Sequence, residues 1–256
     1  MVNPVKHTAT ILESVATSTL TAWRGCMVVK AAEQPEKSLI LYDMEACPYC
    51  RRVREALTAL HLDVEIRPCP KGGRRFRPEA EATGGKQLFP LLVDQNTGKV
   101  LYESADIVEY LFREYGGRPV PKAYQAKGYQ QVLGSAASAA SLLRGLRAKS
   151  ARTPEQPLHL WSFEGSPYSR PVRELLCELE IPYTLHNIGK EHWSEAGPAK
   201  QRIKPGPYRP IPGGKRDGFF QKYGRVQVPY LEDPNTGEAL FESARILDYL
   251  NRQYAL

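Results

Sequence analysis

Two cysteines three positions apart, Cys47 and Cys50, enclose Pro48 and Tyr49 in a C-P-Y-C element. That spacing suits thiol–disulfide exchange. A cysteine placed where a loop enters a helix meets unsatisfied backbone N–H groups and the helix dipole, and both favour its thiolate, the form that attacks a disulfide. Cys47 is expected at that point. Cys50 then lies one helical turn on, ready to displace a partner from Cys47. Pro48 presets the backbone at the first helical position. Arg51 and Arg52 follow and add positive charge. Half of a zinc site is the other use of such a pair, but there is no second C-x-x-C and no His nearby in sequence, so no metal is expected.

The chain repeats its scaffold without repeating its thiols. Residues 89–115 and 228–254 align without gaps, and 15 of 27 positions are identical. Upstream, Ser166-Pro167-Tyr168-Ser169 stands where the C-P-Y-C element stands in the first copy. Pro90, after Phe89, and Pro229, after Val228, each open a short apolar run. Glu103-Ser104 and Glu242-Ser243 each precede a helical pattern. Serine at a helix N-cap satisfies an orphan N–H, which is one reason for Ser104 and Ser243. A bare cap does not require the Glu before it.

The elements that position these groups follow from periodicity. Ser38 to Tyr42 is an apolar run bounded by polar residues and predicts a buried strand. Val53, Leu57 and Leu60 share one face of a helix over about 50–60. A strand is expected over 63–67 and a short helix near 78–83. A hairpin joins 90–93 to 100–102 around Asn96-Thr97-Gly98, and a helix runs from Ser104 to Tyr115, stopped by Gly116-Gly117. The second copy predicts a strand at 158–161, a helix at about 171–179, a strand at 183–186, a hairpin around Asn235-Thr236-Gly237 and a helix from Ser243. From Cys47 to Pro90 the separation is 43 residues, and from Ser166 to Pro229 it is 63, so an insert lies at about 190–227. Its Lys204 to Lys215 stretch is rich in Pro and Gly and reads as an exposed loop. Before each copy stands a run of small residues ending in Arg-Gly, Ser14 to Gly25 and Ser135 to Gly145, read as opening helices. The expected organisation is a helical extension over 1–37, a first fold over 38–117, a linker with a helix over 118–156 and a second fold over 157–256.

The chain has 256 residues and a formal net charge of +7. No apolar stretch is long enough for a membrane span. Five cysteines (Cys26, Cys47, Cys50, Cys69 and Cys177) are too few and too odd for a disulfide scaffold, which suits a reducing compartment such as the cytoplasm or a plastid stroma. The Ser/Thr-rich N-terminus has the composition of a transit peptide, but Glu13 interrupts it and its pattern recurs at the linker. Basic residues cluster at Arg51, Arg52 and Arg54, at 71–77 and at 200–215, with no stacking motif or recognition helix beside them. A small anionic ligand fits them better than nucleic acid. Cys177 stands at the place of Thr58 and reads as a small buried apolar residue.

With C-P-Y-C after the first strand, Phe-Pro before the third and Glu-Ser opening the last helix, the chain resembles glutaredoxins and the N-terminal domain of glutathione transferases. The likeness covers residues 38–256, in a tandem form without a helical C-terminal domain. It implies an α/β protein of two tandem thioredoxin-like folds, with glutathione as cosubstrate. It implies cis prolines at 90 and 229, with the backbone of Phe89 or Val228 pairing with glutathione as an added strand would. It implies that the γ-glutamyl carboxylate rests on the Ser104 hydroxyl and helix N-terminus while the ammonium meets Glu103. Pro48 and Tyr49 would border the same site, and Arg51 or a basic residue of 71–77 would meet the glycyl carboxylate. Ser166, Val228, Pro229, Glu242 and Ser243 form a second candidate set, with Ser166 either bonding a glutathione sulfur or kept only for packing. A glutathione-bridged iron–sulfur cluster on Cys47 of a dimer, known in the family, is the less favoured use of that cysteine. The expected activity is glutathione-dependent exchange on small-molecule or protein disulfides. A non-catalytic glutathione-binding module and a conjugating transferase are the alternatives, and the oligomeric state is left open.

Overall fold

β1 (Leu39–Asp43) is buried at every residue, because helices cover both of its faces. It pairs in parallel with β2 (Val64–Pro68) and antiparallel with β3 (Leu91–Asp94), which turns back into β4 (Lys99–Leu101). α2 (Pro48–Ala59) links β1 to β2, α3 (Phe76–Gly84) links β2 to β3, and α4 (Ser104–Glu114) follows β4. The second unit repeats this order: β5 (Leu158–Ser162), α5 (Arg170–Glu178), β6 (Tyr183–Asn187), α6 (Lys215–Tyr223), β7 (Tyr230–Asp233), β8 (Glu238–Phe241) and α7 (Ser243–Tyr254). α1 (Pro4–Leu20) precedes both units. The structure is a computed structural model and describes residues 3–125, 143–195, 197 and 208–256. Each unit is a thioredoxin-like fold.

The two units form one eight-stranded sheet in the order β4-β3-β1-β2-β6-β5-β7-β8. At its centre β2 and β6 run antiparallel, Val64 opposite Leu185 and Ile66 opposite Tyr183. A strand edge carries a row of unpaired N–H and C=O groups, and here each unit covers the other's. One apolar core runs beneath the joint, with Leu57, Leu60 and Ile66 in the same cluster as Leu158, Leu176 and Leu185. Smaller clusters lie on the opposite face, under α3 and α6.

Much of the identity between the copies serves folding. Asp94 at the end of β3 accepts hydrogen bonds from Tyr110 and Tyr115, and Asp233 accepts them from Tyr249 and Tyr254. Asn96 and Asn235 close the adjoining turns on the same carboxylates. The hairpin and the last helix are thereby clasped in both units.

Arg51, Arg52 and Arg54, read from the sequence as a surface for a small anion, are buried. The loop after β1 supplies Glu45, and the loop after β5 supplies Glu164 at the matching position. Arg54 donates to Glu164 at 2.8 Å and to Asp43 at 2.6 Å, while Arg173 donates to Glu45 at 3.0 Å and lies 3.1 Å from Glu164. Arg51 stands 3.4 Å from Glu55 and 3.5 Å from Glu164. The network crosses between the units and is nearly reciprocal. Around it, the Glu164 N–H donates to Thr58 and the Glu45 N–H donates to Cys177. Cys177 is therefore buried as expected, but its sulfur also takes Thr58's role as a hydrogen-bonding partner.

The segments before the two copies cross over as well. Met27 bridges to Lys190 of the second unit, and Arg147 bridges to Lys71 of the first. Gly25 and Gly145 have φ of 73° and 75°, and a Cβ on either would come within 3.0 Å of a glutamate of the network, Glu164 or Glu45. Glycine is required there on both counts.

Two expectations need correction and a third is untested. The first opening helix runs from Pro4 to Leu20 rather than from Ser14 to Gly25: Asn3 caps it through two backbone N–H groups, and the left-handed Ala22 and Trp23 follow its end. Its small residues do pack closely, with Ser14, Thr17 and Ser18 buried. The helix expected over 135–145 lies outside the described residues except for the turn Leu143–Gly145. The stretch read as an exposed loop ends in α6, whose N-cap is Gly214, and 204–207 lie outside the described residues. α6 was missed because it is mostly polar. Its Phe219 and Tyr223 join Trp161, Tyr230 and Phe241 in an aromatic cluster. Among the described residues no helix is long and apolar enough to cross a membrane.

Candidate functional site

The pairing of Tyr42 with Leu91 brings the loop after β1 and the residues before β3 to the same end of the first unit. Cys47 follows the first and Phe89-Pro90 precedes the second. α4 begins beside α2, and Arg52 donates to the Ser104 hydroxyl at 3.2 Å. The cysteine element, Pro90 and Glu103-Ser104 therefore belong to one region. The Phe89–Pro90 and Val228–Pro229 peptide bonds are both cis.

Cys47 is the N-cap of α2, with extended backbone, and Pro48 is the first helical residue. Tyr49 is half exposed. Cys47 keeps 7% of its surface and Cys50 none. The Cys47 thiol is lowered to about 7, chiefly by the hydrogen bond from Cys50 and further by the N–H groups of Cys50 and Tyr49, against the effect of burial. Cys50 is pushed well up by burial and by the same contact. Burial also raises Cys26, to about 11, along with Cys69 and Cys177. One thiol of five is thus activated near neutral pH. Its alkylation rate should rise with pH through a midpoint near 7, because a lowered pKa keeps the thiolate populated above that point. Cys50→Ala, which removes the strongest stabilising contact, should move the midpoint upward into the ordinary thiol range. Iodoacetamide kinetics between pH 5 and 10 check both expectations.

Ser104 was expected at the N-cap of α4, but Glu103 occupies that position and Ser104 is the first helical residue. Glu103 has φ 61° and ψ 115°, and Glu242 before α7 has φ 72° and ψ 118°. A non-glycine residue in this region is strained by about 1–3 kcal/mol, and such residues cluster at ligand sites. Neither glutamate's side chain caps its helix.

The copies differ in what occupies these groups. The Glu103 side chain is exposed and its carboxylate has no hydrogen-bond or ionic partner among the described residues, whereas the Glu242 carboxylate accepts from Gln227 at 2.6 Å. The Ser243 hydroxyl is bonded to His7 of α1 at 3.2 Å. Ser18 of the same helix donates to the Gly165 carbonyl and accepts from Arg170. Ser169 donates to Ser166 through both its hydroxyl and its N–H, an oxygen version of the Cys50–Cys47 contact, and both serines are buried. α1 thus lies against the second candidate set.

Among the cations expected to meet a carboxylate, Arg51 is buried, committed to Glu55 and Glu164, and also donates to Thr21. Arg75 is spent on the carbonyls of Leu179, Glu180 and Ala151. Arg77 is still beside the site, stacked on the Phe89 ring at 4.9 Å. Sequence reasoning named Arg52 only as one cation of a basic cluster, and it missed His7. Arg52 was distinguishable by its counterpart, Pro171, which carries no charge. His7 belongs to no motif.

The folds and the activated thiol at the start of α2 define a thioredoxin-like protein built twice over. The family model described as "Glutathione S-transferase, N-terminal domain" matches residues 41–119 and again 160–256, and the chain belongs to that family. No curated protein matches the chain.

Proposed function

We propose that the first unit is a glutathione-dependent thiol–disulfide oxidoreductase and that the second supports it. The observation that carries this reading is the Cys47 sulfur, poised as a thiolate near neutral pH beside a Glu103-Ser104 pair whose carboxylate is free. The Cys47 thiolate attacks the glutathione sulfur of a mixed disulfide. A Cys47–glutathione disulfide forms, and the other thiol leaves as a thiolate that takes a proton from water. A second glutathione thiolate then attacks the bound glutathione sulfur, releasing glutathione disulfide and the Cys47 thiolate. Cys50 offers an internal route: once deprotonated it attacks Cys47, forms the Cys47–Cys50 disulfide and releases glutathione. The backbone of Phe89 at the head of β3 would pair with the peptide, and Arg77 takes the place of Arg51 as the cation for the glycyl carboxylate. Pro48 and Tyr49 border the thiol.

The test is coupled reduction of a glutathione mixed disulfide, with calorimetric titration of glutathione alongside. Turnover and one glutathione per chain, both unchanged in Ser166→Ala, are expected. Glutathione binding without turnover would replace this reading with a non-catalytic binding module. Activity with an aromatic halide that disappears in Ser166→Ala would replace it with a conjugating transferase.

A further inference from the structure

Arg52 differs from the guanidiniums around it. Arg54 contacts three carboxylates and Arg51 two. Arg52 is 7% exposed, its Nη1 donates to Ser104, and its Nη2 has no hydrogen-bond partner among the described residues. A buried guanidinium left without a counter-charge is costly, and burial pushes Arg52 below its ordinary value while Glu55 only partly offsets this. Arg52 lines a cleft of about 330 Å³ together with Ala105, Val108, Glu109 and Arg113 of α4 and with Val120 and Tyr124, so the cleft wall carries one carboxylate besides its two guanidiniums. The cleft runs along α4 from Ala105 in its first turn to Arg113 in its last, and the leading N–H groups of this 11-residue helix receive no side-chain cap from Glu103. Helix N-terminus and guanidinium both call for an anion at this point.

The surrounding groups narrow the choice of anion. The Ser104 oxygen accepts from Arg52, so its own O–H is left to donate. Arg52 Nη2 and the Ser104 hydroxyl thus present two adjacent donors, which matches the two oxygens of a carboxylate. Glu103, one residue away and unpartnered, suits an ammonium. An α-amino-acid head group carries both charges. The second copy, whose Ser166-Pro167-Tyr168-Ser169 element has no thiols, has Pro171 in place of Arg52, and its Ser243 is bonded by His7 instead.

We propose that Arg52 is a ligand-binding residue of the first unit, whose Nη2 receives the α-carboxylate of the γ-glutamyl end of glutathione jointly with Ser104. This rests on the glutathione reading above and adds a residue to it. The same head group occurs on free glutamate, which lacks the rest of the peptide, so the two sources are separable by titration.

The experiment is calorimetry on the full chain under reducing conditions with three probes: glutathione, the analogue in which 4-aminobutyryl replaces the γ-glutamyl group and so lacks the α-carboxylate, and glutamate. The wild type should bind glutathione about 10- to 100-fold more tightly than the analogue, the range for a hydrogen bond to a charged group. Arg52→Gln should weaken glutathione by part of that factor and leave the analogue within twofold, because the analogue lacks the group that both Arg52 and Ser104 hold while the variant loses only the Arg52 contact. Arg52→Lys, which keeps the charge and loses the fork, should fall between them, and it carries the test if the glutamine variant fails to fold. Equal weakening of both peptides by Arg52→Gln, or no weakening of glutathione, overturns the assignment and leaves the glutathione site intact. Binding of glutamate as tight as that of glutathione overturns the γ-glutamyl source. A wild type that binds neither peptide overturns the glutathione reading itself, and the assignment with it.

Discussion

Serine at position 47 is expected to lower turnover of a glutathione mixed disulfide by about 10³-fold or more, while serine at position 50 leaves much of it. The difference follows from the two environments. Cys47 keeps a small exposed surface and a thiolate stabilised by three donors, whereas Cys50 is fully buried and its thiol is raised well above the ordinary range. A hydroxyl at position 47 cannot form the mixed disulfide, so the whole contribution of covalent catalysis disappears. A serine at position 50 still offers an O–H to the Cys47 sulfur. The glutathione-only route then survives, and only the internal disulfide is lost. The measurement is steady-state reduction of the mixed disulfide by the two variants at pH 7.5. Equal loss in both would sink the route in which glutathione alone resolves the intermediate and make Cys50 obligatory.

Alanine in place of Glu164 is expected to destabilise the protein by about 3–5 kcal/mol, the usual penalty for leaving buried charges without their partner. Glu164 has no exposed side-chain surface and stands within 4 Å of Arg51, Arg54, Arg170 and Arg173. Its removal leaves four guanidiniums with Glu45, Glu55 and Asp43 as their remaining carboxylates. Burial alone would raise the Glu164 carboxyl, but Arg173, Arg54, Arg51 and Arg170 hold it far below its ordinary 4.5. A depressed carboxyl contributes stability that is present above its unfolded pKa and drains away as pH falls toward its folded one. The gap between wild type and Glu164→Ala should therefore be full at pH 7 and narrow progressively below about pH 4.5. Urea unfolding at several pH values checks this. A loss of less than about 1 kcal/mol at neutral pH would mean that the charges at the joint are held in place by the apolar core and do not fasten it.

Local pattern carried most of the fold. Ser38 to Tyr42 reads as a strand because β1 is apolar on both faces, and Val53, Leu57 and Leu60 mark α2 because that face of the helix is buried. α6 escaped because its first four residues, Lys215 to Gly218, carry three charges and a glycine, and the stretch before it is rich in Pro and Gly. The thiol element, the Glu-Ser pairs and the two prolines were legible from type and spacing. The fate of the arginines was not. Arg54 meets Glu164 from 110 residues away, and no period within the sequence reports such a partner. Ser243 likewise gave no sign that a histidine from 236 residues upstream would bond it. The shift of Glu103 into the N-cap position was hidden for a different reason. Strained backbone leaves no compositional mark when the residue is not glycine.

The central β2–β6 pairing bears on what the copy without the C-P-Y-C element is for. Were the chain cut between its two copies, each fragment would present an open strand edge, half of an apolar core and guanidiniums whose carboxylates had departed with the other piece. Each fragment is expected to be less stable alone than within the intact chain, because the other covers its strand edge and completes its core. Mixed together, the pieces should reassemble by fragment complementation. The second copy lacks the paired cysteines, yet it completes the sheet and the apolar core on which the first copy's cysteine element rests.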